Sequence, residues 1–506
     1  MKKQAILFFA VFIAGLCSII YELLISATAT YFLGNGVLQF SILIGVYLFS
    51  MGVGAYFSQF LKHQPLTFFI FIEYLLGFVG GISVPLLYFA FVEFSPTTLQ
   101  IMALGIMFLI GVFTGMEVPL LTFVNQEKSL EKNLSSVLSL DYVGGLIATL
   151  IFPFVLLPFI GLFYSSLLFG IINIGLGMML YFTLSDRKSP KFLLLGLGFL
   201  LVLTTGILYT GSLLNMWEER IYKNPIVENL QTPFQKIVLT KNKNDIKLFL
   251  NRTIQFSSAD EHRYHEMLVH VALLYHPNPK HVLILGGGEN LAAREVLKHE
   301  SVQVIDVVDI DSMMFHLSKT NKHLRRINAN AASDSRVRMI VDDAFTYLKN
   351  NAQRYDVIIA DLPEPSSDAL AKLYSRQFYM LVRRSLHPNG LFVTQSGEIN
   401  LSNLSYNCIL NTVASVFNHV KGYHTLVPSF GNWGFTLAAD FDWQEYQPRE
   451  LPKNLKYLDE FVLQSSFVFP KDITFVETKI STIDNPVVLN YFLEEFERWK
   501  HGQVVN

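Results

Sequence analysis

The chain has 506 residues, 51% of them hydrophobic and 16% charged, with a net charge of −2. Against roughly 25% charge in an average soluble domain, these values exclude a disordered chain and fit one ordinary soluble domain poorly. The near-neutral balance excludes a basic field for nucleic acid, and two cysteines, Cys17 and Cys408, exclude a disulfide framework.

The charge is unevenly spread. Residues 1–215 hold eight Lys/Arg and eight Asp/Glu, about 7% of that stretch, whereas the remainder holds about 22%. The length allows about three domains. We read a transmembrane domain over 1–215, a small β domain over 216–260, a Rossmann-like domain over 261–440 and a C-terminal extension over 441–506. The predicted fold class is an α-helical multi-pass membrane domain plus an α/β Rossmann-like domain preceded by a small β-hairpin domain.

A bilayer span needs about 20 apolar residues. Seven stretches meet this, roughly 5–32, 38–61, 66–92, 98–124, 137–159, 162–184 and 192–214. The first is too long for a signal-peptide core, and further spans follow it, so no cleavage is expected. Lys2, Lys3, Lys62, Lys128, Lys132, Arg187, Lys188 and Lys191 all fall on one side of this array, which the positive-inside rule makes cytoplasmic. The expected location is a cell (inner) membrane, with a cytoplasmic N-terminus. Seven spans then put the soluble half outside.

Glu22, Glu73, Glu117 and Asp141 lie in or near the spans without a Lys or Arg at comparable depth. Intramembrane acids usually face a bundle interior. They either hydrogen-bond between helices, with Tyr21, Tyr74 and Tyr142 as donors, or line a polar cavity for a cation. Glu22, Glu117 and Asp141 are the candidates for the second role.

In the soluble half, 218–256 reads as short strands, with Lys236–Thr240 and Ile246–Leu250 forming a hairpin. Residues 261–276 read as helix. Buried-strand runs then follow at His281–Leu285, Val304–Val308, Val337–Val341, Asp356–Ala360 and Leu391–Gln395. Gly286-Gly287-Gly288 closes the first run, and a helical stretch is expected to about Lys298. Asp309, Asp342-Asp343 and Asp361 end the next three. In such a doubly wound sheet, ligands bind beyond the strands' carboxyl ends, and an acid about 20 residues past the glycine turn suits a ribose diol. The turn is not GxGxxG, which disfavours a dinucleotide. Glu289, Asp309, Asp343, Asp361 and Glu364 should share one crevice. Clustered carboxylates repel each other, so that crevice favours a cationic ligand.

These residues carry a resemblance to a family. Residues 217–440 resemble the polyamine aminopropyltransferases, or spermidine synthases. The matching strings are QTPFQKIVL (231–239), IQFSSADEHRYHE (254–266), VLILGGGENLAAREVLKH (282–299), VVDID (307–311), VDDAF (341–345), DLPEP (361–365) and LYSRQFY (373–379). YELL (21–24), GMEVPLL (115–121), DYVGG (141–145), FPFVLLP (152–158) and VPSFGNWGF (427–435) resemble the membrane-bound subset.

The resemblance implies aminopropyl transfer from decarboxylated S-adenosylmethionine, a co-substrate, to putrescine or a similar amine. The products would be spermidine or a relative and methylthioadenosine, with no cofactor. It places Gly286, Gly287 and Gly288 at the donor and Asp309 on the ribose. Asp343 and Ala344 would contact adenine, with Gln235 near the nucleoside. Gln255, Tyr264, His265 and Glu289 would line the amine channel, Glu364 and Tyr374 would hold the acceptor, and Asp361 would be the general base.

The chain departs from the family pattern at three places. The usual GGGDGG is GGGEN, the ribose acid is Asp309 rather than Glu, and the second acid of the D-x-x-D-P loop is Glu364. Each change keeps the charge but alters reach, which bears on the length of amine accepted.

Two rivals stand beside this reading. An S-adenosylmethionine-dependent methyltransferase shares the sheet, but its donor carboxylate would meet Glu289. A polyamine transporter or sensor would use the soluble half only for binding. Residues 265–270 read H-E-x-x-x-H, which misses the i, i+4 spacing of a zinc helix, so no metal is expected. The lipid bilayer, the amine and the donor are the expected partners, with a homodimer as a further one.

Overall fold

The computed structural model describes residues 2–34, 36–124, 130–185 and 189–500. Lys128, Arg187 and Lys188 of the loop-charge pattern lie outside them. The chain divides into two compact units, Met1–Asn224 and Pro225–Asn506.

The first unit is helical. Its elements are α1 (Lys2–Leu33), α2 (Gly36–Ser58), α3 (Pro65–Glu93), α4 (Pro96–Val124), α5 (Leu130–Ile151), α6 (Leu162–Leu184) and α7 (Pro190–Tyr222). A π-helical stretch, Phe152–Ile160, carries Pro153 and Pro158 and prolongs α5. Among the described residues, seven helices are long and apolar enough to cross a membrane. Their apolar residues form one core that includes Val11, Tyr21, Leu76, Ile110 and Ile174, while Phe49, Leu150, Phe159 and Leu208 stay exposed. Small residues allow close approach between helices. A Cβ on Gly54 would overlap the Val112 carbonyl oxygen, so its absence lets α2 lie against α4.

The helix α7 runs to Tyr222, so 218–222 is helical and not the start of a strand. The second unit opens instead with β1 (Ile226–Gln231), followed by β2 (Lys236–Asn242), β3 (Asp245–Leu250) and β4 (Thr253–Ser257). They form an antiparallel sheet in chain order. Asn242 pairs with Asp245 across a two-residue turn in which Lys243 takes a positive φ of 52°, a geometry that matches strand twist.

The larger sheet has seven strands: β5 (His281–Gly286), β6 (Val304–Asp309), β7 (Val337–Val341), β8 (Tyr355–Asp361), β9 (Leu386–Glu398), β10 (His419–Val427) and β11 (Gly431–Ala439). Their order is β10-β11-β9-β8-β5-β6-β7. β5 to β9 are parallel, and β11 is inserted antiparallel between β9 and β10, giving a mixed sheet. This is the Rossmann-like arrangement of the methyltransferase type. Val282, Ile284, Ile305, Val307, Val357 and Ile359 are buried under the helix α8 (Glu261–Tyr275) on one face. Leu283, Leu285, Val308 and Ile358 are buried on the other, which is why these strands read as continuous apolar runs. The helix after the glycine turn, α9 (Leu291–Val296), is shorter than expected and stops before Lys298.

Candidate active site

The chain leaves β5 for β6 on one side of the sheet and later enters β8 on the other, so the strand order reverses at β5. Ligands of open α/β sheets bind at such a switch point. The carboxyl ends of β5, β6 and β8 meet there because Gly286 and Gly287 turn the chain with φ of 83° and 63°, a conformation that glycine adopts freely. A Cβ on Gly286 would overlap the Asp361 carbonyl oxygen, and one on Gly288 would stand 2.7 Å from Asp309 Oδ2. The glycines are therefore also needed for space.

Asp309 accepts from the Gly288 N–H at 3.1 Å and the Asp311 N–H at 2.8 Å. Burial pushes its carboxyl up to about 6, against these hydrogen bonds. Gln235 Nε2 and Thr232 Oγ1 donate to Asp311 Oδ2 at 3.0 and 2.8 Å. Gln235 thus ties the small sheet to the loop after β6.

Asp343 follows β7 and caps the helix Ala344–Asn350, accepting from the Thr346 N–H at 3.0 Å. Lys372 Nζ stands 2.9 Å from Asp343 Oδ2. Burial would raise the Asp343 carboxyl, but Lys372 and Thr346 outweigh it and hold it low. Ala344 is buried beside it.

Asp361, half-buried at the end of β8, receives the Tyr264 hydroxyl at 2.8 Å on Oδ1. Burial raises its carboxyl, and His265 and Tyr264 offset part of that rise. His265, Glu289 and Asp361 each bring one polar atom within 4.8 Å of the others. Glu289 is pushed up by burial and by Asp361. A cation entering this trio would relieve that repulsion.

His265 is oriented from behind. Its Nδ1 lies 2.8 Å from both the carbonyl oxygen and Oε2 of Glu261. Arg294 holds Glu261 with two hydrogen bonds of 2.8 Å. Burial works against the charged forms, yet these partners prevail. Glu261 is held down near about 2, and His265 is raised. The Arg294–Glu261 pair thus fixes the ring so that Nε2 faces Glu289, at 3.9 Å from Oε1. Sequence reasoning missed Glu261 and Arg294, although the i, i+4 spacing of Glu261 and His265 on a helix was a usable signal.

At the other end of the crevice, burial and then Glu398 push Glu364 up to about 7. Glu398, also missed, accepts from the Leu401 and Asn432 N–H groups. Tyr374 is fully buried; its hydroxyl donates to the Pro363 carbonyl oxygen at 2.8 Å and receives Gln395 Nε2. It therefore fixes the loop that carries Glu364. Gln255 lies on β4 with its Nε2 on the Thr253 carbonyl oxygen at 3.3 Å. Among the described residues it has no hydrogen bond to the acid cluster.

A Rossmann-like sheet whose switch point holds a strand-end acid, Asp309, and two half-buried carboxylates, Glu289 and Asp361, beside His265 defines a crevice suited to cationic ligands. The spermine/spermidine synthase domain family matches residues 261–444. The chain is 40% identical over 502 residues to a polyamine aminopropyltransferase of Leptospira interrogans, covering 98% of this chain and 99% of that one. It is 38% identical over 508 residues to polyamine aminopropyltransferase 1 of Streptomyces coelicolor, covering 97% and 94%. A crystal structure of spermidine synthase in complex with the transition state analogue AdoDATO is 27% identical, with a TM-score of 0.46, and covers 49% of this chain and 86% of that chain. The chain belongs to the polyamine aminopropyltransferases.

Proposed function

We propose that the unit Pro225–Asn506 transfers an aminopropyl group from decarboxylated S-adenosylmethionine to putrescine or a related amine. The products are spermidine, or a relative, and methylthioadenosine. The observation that carries this reading is the trio of His265, Glu289 and Asp361 beside the Gly286–Gly288 turn. It sets an acceptor for cations next to a nucleoside-type turn.

The donor brings a sulfonium and an ammonium, and the acceptor brings further ammonium groups. Asp309 receives the ribose hydroxyls, and Asp343 and Ala344 stand at the adenine. Glu289 and Glu364 neutralise the amines at either end. Asp361 Oδ2, the oxygen not held by Tyr264, takes a proton from the attacking ammonium. An alkyl ammonium has a pKa of about 10.4 in solution, and the nearby sulfonium lowers it. The freed nitrogen pair forms the new N–C bond. The C–S pair returns to sulfur, which leaves neutral in methylthioadenosine. The sulfonium is already a good leaving group, so the step requires no metal. Placement of charge and reactants provides most of the acceleration.

The altered reach of Glu289, Asp309 and Glu364 makes acceptor length the open variable. Incubating the purified full-length chain with the donor and a series of diamines identifies the acceptor by the mass of its product. A product from no amine in the series overturns the reading.

The seven apolar helices are read as a multi-pass anchor in the cell membrane, with the N-terminus in the cytoplasm. Supply of a cytosolic donor favours the cytoplasmic face for the catalytic unit, against the parity of seven spans. A reporter fused after Asn506 should be active only in the cytoplasm; periplasmic or surface activity would reverse that assignment.

A further inference from the structure

The helical unit buries polar groups that the aminopropyl transfer does not use. Glu73 on α3 and Glu117 on α4 are 0% and 2% exposed and face one another. Both carboxyl oxygens of Glu73 and Oε1 of Glu117 have no hydrogen-bond partner among the described residues. Two further side chains point to a missing ligand. Asn173 on α6 places its Nδ2 on the Glu73 carbonyl oxygen at 3.3 Å and leaves Oδ1 without a partner. Tyr21 on α1 is fully buried, its hydroxyl is unpartnered, and it lies within electrostatic reach of both acids.

Two more acids flank this pair. Asp141 on α5 is within reach of Glu117, and it presses on α1 so closely that a Cβ on Gly15 would stand 2.5 Å from Oδ1. Glu22 reaches Tyr47, which also faces Glu117. Among the described residues of the unit, Lys2, Lys3, Lys62, Lys132, Lys191, Arg220 and Lys223 are the basic ones, and each stands near a helix end or in a loop. The trio of Glu22, Glu117 and Asp141 expected from the sequence is thus redrawn around Glu73 and Glu117, with the other two as half-buried flanks.

Ionised carboxylates and an amide oxygen only accept hydrogen bonds. Buried without a counter-charge they are costly. A ligand that keeps them ionised would bring both positive charge and several N–H donors. An alkyl ammonium head brings three, and its methylene chain suits an apolar bundle with buried Ile20, Leu24 and Leu120. Acids on the flanks as well as in the centre suit a ligand with charges spaced along a chain.

We propose that Glu73 and Glu117, with Tyr21 and Asn173, form a second polyamine site, an ammonium pocket in the helical unit distinct from the crevice at Asp361. The choice of ligand rests on the transfer reading above, since that reaction uses and makes alkyl polyamines.

The test is equilibrium binding of radiolabelled spermidine to the full-length chain in detergent. The wild type should bind two equivalents. Glu73→Gln/Glu117→Gln should bind one while releasing methylthioadenosine within about twofold of the wild-type rate, which also reports that it is folded. Tyr21→Phe, a milder change, should weaken one of the two equivalents by about tenfold. One equivalent in the wild type, two unchanged in both variants, or displacement of the second equivalent by sodium or potassium at equal concentration would each overturn the proposal. Absence of methylthioadenosine release by a wild type that binds two equivalents would fault the transfer reading and leave this site standing.

Discussion

Asp361 has one oxygen on the Tyr264 hydroxyl and the other toward the crevice. That arrangement would give the proposed base a fixed direction. Replacing it with Asn keeps the shape and the hydrogen-bonding capacity but removes the proton acceptor. Asp361→Asn should lower turnover by about 10²-fold or more, while the dissociation constant for the donor changes little. Methylthioadenosine release and donor binding by calorimetry separate the two, and an unchanged turnover would move the base elsewhere. The Tyr374 hydroxyl is occupied by the Pro363 carbonyl oxygen and Gln395, so in the proposed reaction it would act on the acceptor through the loop that carries Glu364.

At the scale of elements, α8 and α9 form the wall behind the crevice. They are joined by Arg294, which grips Glu261 with two nitrogens and also reaches Glu295 at 2.7 Å. Breaking a buried pair by removing one partner typically costs about 3–5 kcal/mol. Arg294→Met should therefore lower stability by about that amount in denaturant titrations of the full chain, and should release the His265 ring. A loss below about 1 kcal/mol would mean that solvent satisfies Glu261.

The sequence was most legible where physics leaves a periodic trace. The strands β5, β6 and β8 are largely apolar on both faces and closed by glycine or acid, so their positions and the acids at their tips could be read directly. β10 and β11 were not read. Their segments mix Gly, His, Asn and Thr with apolar residues, since β10 is an edge strand and β11 is held by its neighbours rather than by pattern. Glu398 was missed for a related reason: it ends β9 at a bend made by Gly397, with φ of 86°, and no spacing announces it. The pairing of Glu73 with Glu117 depends on how α3 meets α4, which one-dimensional spacing does not encode.

Over the whole molecule, the composition average combines a charge-poor helical unit with an ordinary unit that concentrates acids in one crevice. Burial raises Asp309 to about 6 and Glu364 to about 7. With folded values above the unfolded ones, these groups contribute stability fully present below about pH 4 and lost as pH rises through 6 and 7. The same groups must be ionised to hold a cation. Putrescine and donor should therefore stabilise the protein more at pH 8 than at pH 6, in the opposite sense to the unliganded protein. Thermal shifts at the two pH values measure this, and an equal or larger shift at pH 6 would contradict the acid-lined crevice.

The most direct test is a product balance for the purified full chain given decarboxylated S-adenosylmethionine and its best amine. The account predicts methylthioadenosine and aminopropylated amine in a one-to-one ratio, formed only when the amine is present and suppressed in Asp361→Asn. Methylthioadenosine that forms without any amine, or a methylated amine in place of an aminopropylated one, would contradict it.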